Sequence, residues 1–211
     1  MTAPLVIAID GPAGSGKSTV GGALAEILGL ATLDTGSSYR AIAAQALHLG
    51  IDAANAEEIV ALAAKATLTV GNRVIINGRD VTSEIRSEAV NATVSFIAAN
   101  PGVRSILVQW QRAWVDEHHG GVVEGRDIGT VVFPNAPVKL FLTARSEERA
   151  RRRSEEGIDS ITRRDALDST RATSPLTRAD DAFEIDTTSL DVATIVTMVL
   201  EHIEATRGTT P

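Results

Sequence analysis

The chain has no cysteine, which excludes disulfides, thiolate zinc sites and cysteine nucleophiles. Aromatic residues make up only 3% of it, against 44% hydrophobic residues in all. A core must therefore be built from Val, Ile, Leu and Ala, the palette of buried parallel strands and the helices packed on them. No apolar run is long enough to cross a bilayer. The opening MTAPLVIAIDG lacks the basic start and cleavage site of a signal peptide. The expectation is a cytoplasmic protein with no membrane partner. A basic excess is also missing: the net charge is −7, which argues against nucleic acid as a partner. Lysine is scarce, three residues against seventeen arginines. Arginine suits the bidentate grasp of phosphate and carboxylate, so the positions of the arginines matter.

The 211 residues fit one domain with room for a small insertion. Leu5–Asp10 reads as a buried strand that stops at Gly11. Val20, Leu24, Ile27 and Leu28 then recur at helical spacing, with Gly29 as C-cap. Residues 31–34 read as a second strand and 35–49 as a helix ending at Gly50. Asn55 and Glu58 are spaced as a capping box. Short β-like runs at 67–70 and 73–76 flank Gly71-Asn72, a hairpin signal. We therefore read about 60–100 as a β-rich insertion. Asn100-Pro101 starts a long helix with the apolar stripe Val103, Ile106, Leu107, Trp110 and Trp114. Strands at 121–123, 138–142 and 182–186 follow, with an Arg-rich helix from Ser146 and a final helix carrying Val192, Ile195, Val196, Val199, Leu200 and Ile203. Strands alternating with helices imply a parallel α/β sheet of about five strands with right-handed crossovers. The expected layout is a core (1–59, 101–150 and 172–211), the insertion, and a lid at about 151–171.

Gly11-Pro12-Ala13-Gly14-Ser15-Gly16-Lys17-Ser18 matches G-x-x-x-x-G-K-[ST] between an apolar strand and an amphipathic helix. Backbone N–H groups surround a polyphosphate only where no side chain intrudes, and the glycines permit that approach. The helix N-terminus adds a favourable dipole. Lys17 would reach the β/γ oxygens and Ser18 would ligate Mg²⁺. These eight residues and Thr19 are the expected ATP contacts. An acid at the end of a neighbouring strand completes such a metal site; Glu124 sits there, with Asp34 as a weaker candidate.

Ligands of such sheets bind at the carboxyl ends of the strands. Asp34-Thr-Gly-Ser-Ser-Tyr39-Arg40 leaves one strand end and Glu124-Gly-Arg126-Asp127 another. Each supplies an arginine for a second phosphorylated ligand. A third cluster, Arg149, Arg151, Arg152 and Arg153, then Arg163, Arg164 and Arg171, suits a lid that neutralises charge and excludes water. Other small-acceptor P-loop kinases remain alternatives on these residues, as does a P-loop regulator without catalysis. A GTPase switch needs Asn-Lys-x-Asp, and none of Lys17, Lys65 and Lys139 follows Asn.

Together the phosphate loop, Asp34 to Arg40, Asn77-Gly-Arg-Asp-Val81, Glu84-Ile-Arg86, Glu124 to Pro134, Ser146-Glu-Glu-Arg149 and Asp168-x-x-Arg171 resemble the bacterial cytidylate kinases from about residue 5 to 205. The resemblance implies an adenylate-kinase-like P-loop fold with a monophosphate-binding insertion and a short lid. It implies transfer from ATP, with Mg²⁺, to CMP or dCMP by a monomer. By motif, Arg40 and Arg126 would bind the acceptor phosphate, and Thr35 and Tyr39 would line that pocket. Ser95, Arg104 and Asp127 would read the cytosine edge. Arg164 and Asp168 would hold the sugar and Arg171 the transferred phosphoryl group. Lys17, Arg126 and Arg171 would be catalytic, with Arg149, Arg152 and Arg153 as lid arginines. Two positions depart from the family pattern: Thr35 replaces Ser, and Glu124 replaces the commoner Asp.

Overall fold

The computed structural model describes residues 4–152 and 174–208. The chain divides into two compact units, Met1–Thr32 with Val115–Pro211, and Leu33–Trp114.

Apolar β-branched runs become the main sheet. It contains β1 (Leu5–Asp10), β2 (Thr32–Asp34), β6 (Gly120–Gly125), β7 (Val138–Thr143) and β8 (Phe183–Asp186), in the order β2-β6-β1-β7-β8. β1 pairs in parallel with β6, Leu5 opposite Gly120, and with β7, Ile7 opposite Val138. β8 pairs in parallel with β7. Both neighbours of β1 come from far along the chain, so the carboxyl end of β1 is where distant strand ends meet. Helix α1 (Lys17–Leu28) and the last helix, α7 (Val192–Gly208), pack on this sheet through Val20, Leu24, Ile195, Val199 and Ile203. Each such buried side chain contributes about 1.5–3 kcal/mol. Ile27 does not join them: it is 59% exposed, because the buried stripe of α1 runs through Val20, Gly21, Leu24 and Ala25. Gly29 caps α1 as expected, its N–H reaching the Ala25 carbonyl. Among the described residues no helix is long and apolar enough to cross a membrane.

The second unit holds α2 (Thr35–Leu49), α3 (Ala56–Lys65), an antiparallel sheet of β3 (Leu68–Val70), β4 (Val74–Ile76) and β5 (Arg79–Asp80), and helices α4 (Glu88–Ala99) and α5 (Pro101–Glu117). The expected hairpin is present, with Leu68 opposite Ile76. Arg79 ties it to α2: its Nη2 donates to the Ala44 carbonyl (3.0 Å), and its Nη1 pairs with Glu84 at 2.5 Å. The capping box at Asn55 is half formed. Asn55 accepts from the Glu58 N–H, but its own N–H donates to the Asp52 carbonyl instead of the Glu58 side chain.

Helix α4 is absent from the sequence reading, which took this stretch as β-rich. Val90, Val94 and Ile97 are buried at helical spacing, and Ser87 accepts from the Val90 N–H as N-cap. Asn100 caps α5 as expected, accepting from the N–H groups of Gly102 and Val103. The buried stripe of α5 differs from the apolar one: it includes Arg104 (5% exposed) and Gln111 (1% exposed).

Candidate functional site

The phosphate loop leaves β1 at Gly11. Gly11, Gly14 and Gly16 have φ of 148, 76 and 93°, the left-handed region that glycine adopts readily. Lys17 is folded over this loop, its Nζ donating to the carbonyls of Gly11 (2.9 Å) and Pro12 (2.8 Å). The parallel register sets Glu124 opposite Ile9. Ser18 Oγ then donates to Glu124 Oε2 at 2.9 Å, so two residues 106 positions apart meet beside the loop. Asp34 is used differently: it caps α2, accepting from Ser37 N (3.3 Å) and Ser37 Oγ (2.8 Å).

Of the expected lid arginines, two reach the phosphate loop from α6 (Ser146–Arg152). Arg149 Nη1 donates to the Ala13 carbonyl at 3.1 Å. A Cβ on Gly14 would lie 2.7 Å from the Arg149 carbonyl oxygen, so only glycine lets α6 come this near. Arg152 donates to Thr187 Oγ1 (2.9 Å) and Thr187 O (2.7 Å). Thr187 in turn lies within hydrogen-bonding reach of the Ser15 carbonyl (3.0 Å). Arg151 points elsewhere, 76% exposed and paired with Glu148. Arg153, Arg164, Asp168 and Arg171 lie outside the described residues, as does nearly all of the expected lid.

Beyond Glu124, the strand delivers Arg126, whose Nη1 donates to the Gly125 carbonyl (3.2 Å), and the buried Asp127. The chain then winds into one wide turn, Ile128–Val132, in which the N–H groups of Val132 and Phe133 reach back five residues to the carbonyls of Asp127 and Ile128. Such π-type turns are rare and concentrate at functional positions.

In the second unit, the arginine of α5 and the single tyrosine meet: the Arg104 guanidinium stands over the Tyr39 ring at 5.5 Å, a cation–π distance. Arg104 Nη1 also donates to the Ala98 carbonyl (3.2 Å). It is a buried, positioned cation and not a surface charge. Thr35 is buried in the first turn of the same helix as Tyr39. Arg40 is gripped by the Ile85 carbonyl (2.8 Å) and Asn91 Oδ1 (2.6 Å). Ser95 is half-buried on α4.

The sequence matches the family model described as cytidylate kinase over residues 7–205. The chain belongs to the cytidylate kinase family. It is 48% identical to a cytidylate kinase of Pelotomaculum thermopropionicum, over 95% of this chain and 96% of the relative. It is 45% identical to one of Azotobacter vinelandii, over 96% of each. A solved structure from Thermus thermophilus aligns over the full length of both chains with a TM-score of 0.51 at 21% identity, a likeness of fold.

Three residues escaped the sequence reading: Thr187 beside the phosphate loop, and Lys139 and Asp10, which bond the segment that follows Glu124. Thr187 and Lys139 carry no motif of their own, and their roles depend on strand pairing. Asp10 is the third. It is 4% exposed, and its carboxylate oxygens accept from the N–H groups of Ile128 and Gly129, both at 2.7 Å. Burial raises its pKa from 3.8 to about 6; the two N–H bonds and the Lys17 charge oppose that rise, and the Asp127 charge adds to it. The folded protein therefore holds this proton more tightly than the unfolded chain does. The resulting stabilisation is complete below the unfolded value and disappears as pH rises through the folded one. At about 1.4 kcal/mol per pKa unit, the swing is about 3 kcal/mol. Denaturant unfolding of wild type and Asp10→Asn at pH 4.5 and 7.5 should show the wild type losing about 2 kcal/mol to the variant as pH rises, since part of the swing already lies below pH 4.5. Parallel pH curves for the two proteins would contradict it.

Proposed function

We propose that this enzyme transfers the γ-phosphoryl group of ATP to CMP or dCMP, yielding ADP and CDP or dCDP. One observation carries the reading. Glu124, in hydrogen-bond contact with Ser18 of the phosphate loop, stands two and three residues before Arg126 and Asp127 on the same strand exit. A single segment thus links phosphoryl chemistry to acceptor recognition.

The acceptor phosphate is already anionic, so in-line attack needs no general base. What remains is orientation and charge neutralisation. Lys17 supplies positive charge to the β/γ oxygens, with Arg149 and Arg152 flanking the loop. Arg126 and Arg40 take the acceptor phosphate, and Arg171 the transferred group. Mg²⁺ suits the Ser18 hydroxyl and Glu124 carboxylate: both are hard oxygen donors, and this ion is held by one or two protein ligands and phosphate oxygens. When bound, it offsets charge on the transferring phosphoryl group.

Cytosine presents an exocyclic amine, and uracil a carbonyl at the same place. A carboxylate at Asp127 accepts from the first and is repelled by the second. Arg104, held on Tyr39, suits the N3 and O2 acceptors, with Ser95 beside the ring edge and Thr35 near the phosphate. Arg164 and Asp168 take the sugar hydroxyls. A coupled assay of ADP formation against CMP, dCMP, UMP, AMP and GMP tests the assignment; turnover confined to UMP, or with no acceptor, would reject it. Asp127→Ala should lower the CMP-over-UMP ratio of kcat/KM by about 10–100-fold, the worth of one charge-assisted hydrogen bond. An unchanged ratio would remove Asp127 from base recognition.

A further inference from the structure

We infer that Asp10 and Lys139 are positioning residues for acceptor selectivity, bracing the Arg126–Pro134 segment from the two strands that flank its base. The inference rests on the reading of Asp127 as the residue that recognises the base.

Asp127 stands where a helical turn begins, the N-cap position. An aspartate there ordinarily turns its carboxylate onto the N–H groups of its own first turn. Asp127 makes no such capping bond. The reason lies on β1: Asp10 already accepts from the first two N–H groups of the turn, one on each carboxylate oxygen. Asp10 thus caps the turn from outside, in the place that the side chain of the N-cap residue would otherwise take.

The far end of the segment is held by a charge of opposite sign. Lys139, on β7, is 7% exposed, and its Nζ donates to the Pro134 carbonyl at 2.5 Å. Asp181 balances that charge, both oxygens lying within 2.9 Å of Nζ. The two braces converge on Gly129. A Cβ there would lie 3.2 Å from Lys139 Cδ and 3.4 Å from Asp10 Oδ2. Buried charges with full hydrogen-bonding partners fix geometry more than they add stability, and β1 and β7 are adjacent strands in register.

Removing either brace should therefore affect the acceptor and spare ATP. Asn at position 10 has one acceptor oxygen where Asp has two, and its amide nitrogen opposes an N–H. The orphaned N–H then competes for Asp127, which falls back to capping its own turn. The test is steady-state kinetics with CMP, UMP and ATP for wild type, Asp10→Asn, Lys139→Met, Lys139→Arg and Asp127→Ala, with thermal unfolding alongside. Asp10→Asn should raise the KM for CMP about tenfold, one lost hydrogen bond's worth, and move the CMP-over-UMP preference toward that of Asp127→Ala. The KM for ATP should hardly change. Lys139→Met should do the same more weakly, with Lys139→Arg restoring much of the loss. Should Asp10→Asn fail to fold, Lys139→Met and Gly129→Ala, whose methyl group intrudes between the braces, decide the matter. Folded variants that keep the wild-type KM and preference for CMP, or lose CMP and ATP affinity in equal proportion, overturn the inference. If Asp127→Ala lowers the preference while the brace variants do not, the bracing is wrong and the base reading stands. If Asp127→Ala leaves the preference intact, the base reading fails and the braces are judged on the KM for CMP alone.

Discussion

Lys17→Ala should turn over CMP about 10²–10³-fold more slowly than wild type, the loss typical of removing one preorganised charge stabiliser, while remaining folded. The structure gives the reason for both halves. Lys17 Nζ already sits over the phosphate loop on the carbonyls of Gly11 and Pro12, so its charge is held beside the loop that would cradle the phosphates. Its loss leaves those two carbonyls without that donor, at about 1–3 kcal/mol for each that stays buried. That lowers the melting temperature without abolishing the fold, because the core of this unit lies in the sheet and its helices. Rapid-quench turnover at saturating CMP and ATP, paired with calorimetry, separates the two effects. A folded variant within threefold of wild-type turnover would refute the role, since threefold is far below the expected loss.

Gly11→Ala should act on the fold itself. A methyl group there would lie 2.1 Å from the Leu142 carbonyl oxygen, at a φ of 148°. That oxygen belongs to the backbone of β7, so it cannot rotate away. Either the loop or the strand must move. The combined overlap and backbone strain should exceed about 4 kcal/mol, the range of the most damaging single changes. Gly29→Ala provides the control. Its φ is 64° and nothing lies within 4 Å of the added atom, so it should cost only the left-handed penalty of about 1–2 kcal/mol. Equal losses for the two variants in denaturant unfolding would show that the approach to Leu142 is not what requires glycine.

The sheet was legible because buried parallel strands are written as unbroken apolar runs: Leu5–Asp10 and Val138–Thr143 differ from their sequence reading by at most one residue. The phosphate loop was legible because its chemistry restricts residue type at fixed spacing. Helix α4 was not, since Val90, Thr93, Val94 and Ile97 weigh toward strand by composition while their spacing is helical. Arg104 shows another limit. An arginine on an amphipathic helix is ordinarily exposed, and only the three-dimensional meeting with Tyr39 reveals its burial. Asp10 is the sharpest case. Standing just before the glycine loop, it reads as the polar end of a strand. Its partners lie 118 and 119 residues away, a distance across which no local pattern carries information.

The wide turn at Ile128–Val132 fixes how this segment can vary. A ring closed by a five-residue span holds one residue more than an ordinary helical turn. Deleting any residue between Asp127 and Phe133 would tighten the ring to the ordinary pitch and swing whatever precedes it by roughly 100° about the axis. The count of residues here is fixed by the closure of the ring, apart from any choice of side chain. Segments transplanted from other kinases must bring the same length, or the carboxylate at its head will face the wrong way.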